Sequence, residues 1–224
     1  MPKKKVLRRR KVRKDKKQDS RIKNLEEFVY KTIENKQIQY QNQTTVSTSG
    51  FTASNYLLPV LASGSHDGTV NNDTARIGNT VSLMRTCLTG NVKVVDADGY
   101  NRIRLLLVAS KDGAEEITAS DVLAYHNYSI HGDLVFTSQY TTKTNTNKNY
   151  QVLMDKIFDV NVYGPAYKNF KFVKRWKNGK ALMYDGPTAS APTNYKLSLI
   201  GISDSASVIH PALNYMIRNT YKDA

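Results

Sequence analysis

The stretch Tyr100–Ser110, YNRIRLLLVAS, decides how the rest of the chain reads. Ile103, Leu105, Leu106, Leu107 and Val108 fall between a turn signal, Asp96–Gly99 (DADG), and a loop-like segment, Lys111–Glu116. An apolar run this short, closed by turn residues at both ends, predicts a buried β-strand. Upstream, Val81–Val95 is rich in Thr and β-branched residues, which predicts a long strand, or two with a break at Gly90–Asn91.

From Lys36 the period is two. Ile38, Tyr40 and Val46 share one side, and Gln37, Gln39, Gln41, Gln43, Thr45 and Ser47 the other, up to a stop at Gly50. That is the pattern of a half-buried strand with a polar outer face. Downstream, Tyr150–Tyr163 places Val152, Met154, Phe158, Val160 and Val162 on one predicted face, interrupted by Lys156. In Phe170–Lys177 the split is sharpest: Phe170, Phe172 and Trp176 oppose Lys171, Arg175 and Lys177. Asn178–Gly179 is a hairpin-type turn signal from which Ala181–Tyr184 could return, and Tyr195–Ile202 and Leu213–Tyr221 are the closing strands. Ser63–Ala75, Thr141–Asn149 and Gly186–Pro192 read as loops. Helix is expected only over Asp121–Tyr125, capped by Ser120, and over Ser20–Lys36, capped by Ser20, although Phe28–Ile33 could equally begin a strand. About eight strands with long loops predict an all-β sandwich or jelly roll.

The charge lies elsewhere. Of 33 basic and 19 acidic side chains in the 224 residues, 13 basic and two acidic ones fall in Met1–Asn24, so this arm carries +11 and the remainder only +3. The cations are Lys3, Lys4, Lys5, Arg8, Arg9, Arg10, Lys11, Arg13, Lys14, Lys16, Lys17, Arg21 and Lys23. With so few apolar residues the arm is expected to be disordered when free. The domain reading is therefore a basic arm over 1–24 and one β domain over 25–224. A polyphosphate is the natural partner of such an arm, because each cation set against a phosphate releases condensed counterions. No aromatic precedes Phe28, so backbone neutralisation rather than base stacking is expected. The clusters Lys3–Lys5 and Arg8–Lys11 also suit a nuclear import receptor.

Several classes are disfavoured. The chain contains no apolar run of membrane-spanning length and no apolar signal core after its basic start, so no membrane partner is expected. Cys87 is the sole cysteine; it cannot form an internal disulfide, and it reads as a small buried hydrophobe. His66, His126, His131 and His210 have no metal-ligand spacing, and DADG lacks the later ligands of a calcium loop. No phosphate-cradling glycine loop and no nucleophile elbow occurs. No catalytic residue, metal site or cofactor is assigned; calcium held between subunits by loop carboxylates is compatible with this reading but not predicted by it.

The order of short motifs adds to this. Thr48–Gly50 (TSG), Arg76–Gly78 (RIG) opening a strand, Tyr100–Val108, Lys111–Gly113, Asp121–Leu123, Val152–Phe158 (VLMDKIF) and Arg218–Ala224 (RNTYKDA) resemble, in that order, the capsid proteins of small circular single-stranded DNA viruses. Those proteins are similar in turn to the coat proteins of satellite tobacco necrosis virus and its plant-virus relatives. The resemblance spans Lys31 to the C-terminus. It implies a single eight-stranded jelly roll of two packed four-stranded antiparallel sheets, a T=1 shell of about 60 copies with the arms pointing inward, and no catalysis. It also implies location in the virion, with assembly in the host nucleus, and a single-stranded genome, DNA being favoured over RNA. Two other readings stand beside it: a cellular basic-tailed nucleic-acid-binding β-barrel, which should carry basic and aromatic residues on its body, and a jelly-roll enzyme or lectin, which needs a convergent site.

Overall fold

A computed structural model describes residues 16, 18–25, 35–55, 57–59, 76, 78–94, 99–110, 115–141, 150–206 and 209–223. The chain divides into two units, Met1–Asn35 and Lys36–Ala224. In the first, residues 18–25 form a helix, α1, with exposed side chains. It already includes Ser20, so that residue sits inside the helix and not at its cap.

The second unit holds eight strands: β1 (Lys36–Thr45), β2 (Phe51–Ala53), β3 (Thr80–Lys93), β4 (Tyr100–Ser110), β5 (Tyr150–Asn161), β6 (Tyr167–Met183), β7 (Leu197–Ser203) and β8 (Ala212–Asp223). They pair in two four-stranded antiparallel sheets, β1-β8-β3-β6 and β2-β7-β4-β5. Successive strands alternate between the sheets except at β4–β5, and this winding is the expected jelly roll. Between the sheets lies the main core, with Val81, Leu83, Leu88, Val92, Leu105, Leu107, Leu199, Ile217 and Tyr221 all buried.

The sheet β2-β7-β4-β5 is buried on its other face as well. Leu106, Val108, Ile200 and Ile202 point away from the main core into a second cluster, closed by Ile117, Val122, Leu123 and Val135 from the long β4–β5 connection. Two buried faces explain why Leu105–Ala109 of β4 is an unbroken apolar run without alternation, and why every residue of β7 is buried, Ser198 and Ser203 included. Leu106 and Phe158, both expected in the core, are 0% and 7% exposed.

Among its described residues that connection carries three helical turns, α2 (Ala119–Val122), α3 (Tyr128–His131) and α4 (Leu134–Thr137). The first is capped two residues earlier than expected: the Thr118 backbone N–H and hydroxyl donate to the Asp121 carboxylate at 3.0 and 2.7 Å, a reciprocal cap that Ser120 does not make. The other two turns have no expectation behind them, since four residues cannot display a helical period.

Two strand expectations are corrected by register, and the choice left open over Val81–Val95 falls to one long strand. Gly90–Asn91 does not break β3, which runs unbroken to Lys93. The Phe170 ring fills the space beside Gly90, where an added Cβ would lie 2.7 Å from the ring and 2.4 Å from the Asn214 carbonyl oxygen, so glycine is required there by packing and not by a turn. Asn178–Gly179 does not reverse the chain. β6 continues through it as one strand, because the register against β3 moves from Leu83↔Lys180 to Arg85↔Arg175 and residues 176–179 form a bulge left out of the pairing with β3, Trp176 still packing against the main core; Gly179, at φ +76°, supplies the left-handed backbone. Finally, Leu153 is an extra residue between the Leu107↔Met154 and Val108↔Val152 pairs. The slip turns Val152 into the second cluster, on the opposite face from Met154. The short β2, which has no period to read, takes the eighth place left by the merger of Phe170–Lys177 with Ala181–Tyr184.

Candidate nucleic-acid interface

Of the arm cations, Lys16, Arg21 and Lys23 are described, and all are exposed, the latter two on α1. Lys3, Lys4, Lys5, Arg8, Arg9, Arg10, Lys11, Arg13, Lys14 and Lys17 lie outside the described residues, as do His66 and Asp96–Asp98.

The body adds a second basic surface. The pleat puts directly opposed residues on one side of a sheet, so the outer face of β1-β8-β3-β6 can be read row by row. Successive rows are Gln37–Thr220–Arg85–Arg175, Gln39–Arg218–Cys87–Val173, Gln41–Met216–Thr89–Lys171, Gln43–Asn214–Asn91–Asn169 and Thr45–Ala212–Lys93–Tyr167, with Lys222–Ser82–Ala181 beyond the bulges. These rows hold the cations Arg85, Lys93, Lys171, Arg175, Arg218 and Lys222 and no carboxylate. The Lys171 and Arg175 side chains are exposed on this face, and Lys177 projects from the bulge, exposed as well. The row structure also corrects Cys87, which is half-buried on this outer face and not in the core.

The face is shaped as well as charged. A groove of about 780 Å³ crosses all four strands and is lined chiefly by amides, among them Gln41, Gln43, Asn91, Asn169 and Asn214. The Asn214 Nδ2 donates to Asn91 Oδ1 at 3.1 Å, and Arg218 donates from Nε and Nη2 to Gln39 Oε1 at 3.2 and 3.0 Å. Tyr167, at the end of the lattice, is 62% exposed.

Fixed polar networks brace the body around this surface. Arg76, 1% exposed, donates to the carbonyls of Gly78, Gly186, Pro187 and Ala189 and lies over the Tyr184 ring at 4.5 Å. The RIG motif is thus a carbonyl clamp joining the start of β3 to the loop after β6. On the opposite sheet Arg102 donates to Asp159 at 2.7 Å and the Tyr100 hydroxyl to the same oxygen at 2.9 Å. The Arg102 hydrogen bond, with help from Tyr100, holds the Asp159 carboxyl below its ordinary range.

Solved structures of viruses are similar to this chain over most of its length. One from Desmodium yellow mottle tymovirus has 11% identity and a TM-score of 0.39, covering 85% of this chain and 89% of that one. Another, of Mud crab tombus-like virus, has 11% identity and a TM-score of 0.33, over 86% of this chain and 93% of that one. A third, of Mud Crab Dicistrovirus, has 13% identity and a TM-score of 0.31, over 84% and 68%. No family model matches the sequence, and no curated protein matches it.

Other chemistry finds little to build on. Among the described residues no three His, Cys, Asp or Glu side chains converge as a metal site, and no helix is long and apolar enough to cross a membrane. His126 and His131 stack edge to face at 6.0 Å beside Tyr125. Sequence reading found the β6 part of the basic face through its alternation. It missed Arg85, Lys93 and Arg218, which join that face only when β3 and β8 pair; the signal available was the alternation within β8 of Leu213, Tyr215 and Ile217 with Asn214, Arg218 and Thr220, broken only by Met216.

Proposed function

We propose that this chain is a viral capsid subunit that self-assembles into a closed shell and packages a single-stranded genome through its basic arm. One observation carries the reading: an eight-stranded jelly roll of nearly balanced charge is joined in one polypeptide to an arm with a net charge of +11. A β-sandwich with irregular loops at its ends can tile around symmetry axes through heterologous contacts, and a polycationic arm can neutralise what the shell encloses. In a T=1 particle of about 60 copies, the arms would supply about 780 positive charges. The motif order favours DNA over RNA, and the Lys3–Lys5 and Arg8–Lys11 clusters suit import into the nucleus for assembly. The outer basic face also meets the requirement set for a cellular nucleic-acid-binding β-barrel, and the particle mass separates the two readings.

The test is the solution mass of the full-length protein by light scattering behind a size-exclusion column, with absorbance at 260 and 280 nm. A chain of 25.3 kDa should elute as a particle of about 1.5 MDa of protein, heavier when nucleic acid is enclosed. A monomer or dimer across a range of salt would overturn the shell reading and favour the cellular module.

A further inference from the structure

We propose that the outer face of the β1-β8-β3-β6 sheet is a second nucleic-acid site, which binds a single strand laid across the amide groove; this deepens the packaging reading and rests on it. Arg85 and Arg175 are directly opposed across the β3–β6 ladder, and like charges in that position destabilise a sheet. Among the described residues of the face no carboxylate is available to offset them, and the Arg85 Nε is shut off from solvent without a hydrogen-bond partner. Arg218 in the adjoining row and Lys171 in the row beyond it extend the positive field. An arrangement that repels itself when empty becomes favourable when a phosphate chain lies between the cations.

The remainder of the surface selects the form of the ligand. Gln and Asn side chains each present a donor and an acceptor, so the groove between the cationic rows can meet the edges of bases in any order. Tyr167 offers an exposed ring on which a base can stack. A duplex buries its base edges in grooves that need a protruding helix or ribbon to be read, and this face is an open sheet. A strand with splayed bases fits it, phosphates toward Arg85, Arg175, Lys171 and Arg218 and bases toward the amides and Tyr167.

The experiment compares three full-length proteins: wild type, a sheet variant (Lys171→Gln, Arg175→Gln, Arg218→Gln) and an arm variant (Arg8→Gln, Arg9→Gln, Arg10→Gln, Lys11→Gln). Binding of fluorescein-labelled oligo(dT) is followed by anisotropy across a salt series, with circular dichroism to confirm that each protein is folded. Losing three phosphate contacts should lower the salt slope by about 2 and the affinity at about 0.1 M salt by about 100-fold. Wild-type slope and affinity in the sheet variant, with loss only in the arm variant, would overturn this site and leave the arm reading intact. Unchanged binding in both variants would overturn the packaging reading itself. An independent arm of the test needs no mutation: photo-cross-linking of the wild type to a bromodeoxyuridine-substituted oligonucleotide should label Tyr167, and cross-links confined to peptides of the arm would overturn the proposal. A sheet variant that binds normally but no longer forms the particle would show that the face is a contact between subunits, which also overturns it.

Discussion

Arg104 and Asp155 form a two-pronged ion pair across β4 and β5, with Nε to Oδ1 at 3.0 Å and Nη2 to Oδ2 at 2.7 Å. The same guanidinium donates from Nη1 to the carbonyls of Val135 and Ser138, at 2.7 and 3.1 Å. The pair therefore staples the helical β4–β5 connection to the sheet, over the second hydrophobic cluster. Its side chains are 6% and 21% exposed, so the charges are largely desolvated.

Removing one partner strands the other. Asp155→Ala should cost about 3–5 kcal/mol and lower Tm by about 6–20 °C. Replacing both charges, as in Arg104→Met with Asp155→Leu, should recover part of that loss, the remainder being the Val135 and Ser138 carbonyls and the Tyr140 hydroxyl left without their partners. Thermal melts of the single and double variants check this, and a double variant no more stable than Asp155→Ala would show that the pair itself, and not the orphaned charge, matters.

Tyr140 donates its hydroxyl to Asp155 at 2.8 Å, and burial, then that hydrogen bond, push its pKa up to about 12. Burial likewise pushes Tyr195 up to about 12 and raises Tyr184 and Tyr221. Each group is protonated more firmly in the folded chain than in the unfolded one, so its contribution is fully present below about pH 10, the unfolded value. It is lost as pH rises toward 12. Stability should therefore fall steeply across that window, and Tyr140→Phe should make the fall shallower; urea midpoints measured every half pH unit would detect an unchanged slope.

Arg76 is buried among carbonyls that a lysine cannot span, since the planar fork reaches several acceptors at once and an ammonium does not. Arg76→Lys should cost about 2–4 kcal/mol. It should raise amide hydrogen exchange through residues 184–189 while leaving the β4–β5 connection protected. Uniform loss of protection across both would assign Arg76 a global and not a local role.

Truncation of Met1–Asn24 should leave Lys36–Ala224 folded, since the core residues all belong to that unit. Oligo(dT) affinity at about 0.1 M salt should drop by more than about 100-fold. Retained affinity in a folded truncation would remove the arm from the packaging reading.

The sequence by itself determined the fold class, the position of the longer strands and the division of charge. These are local properties: Tyr100–Ser110 must be buried wherever it goes, Gln37–Gln43 must alternate whatever they face, and 13 cations in one arm repel each other in any conformation. Where a local signal had two physical uses, the sequence could not choose between them. Asn178–Gly179 serves a bulge as well as a hairpin, and Gly90 serves a close Phe170 ring as well as a break. Only the tertiary structure decided these, because the partner strand sets the register. It also decided that β4 is covered on both faces, that Val152 turns away from Met154, and that Arg85 and Arg175 meet. Arg85 and Arg175, 90 positions apart, become neighbours through the pairing of β3 with β6, and no pattern within either segment encodes that they will share a face.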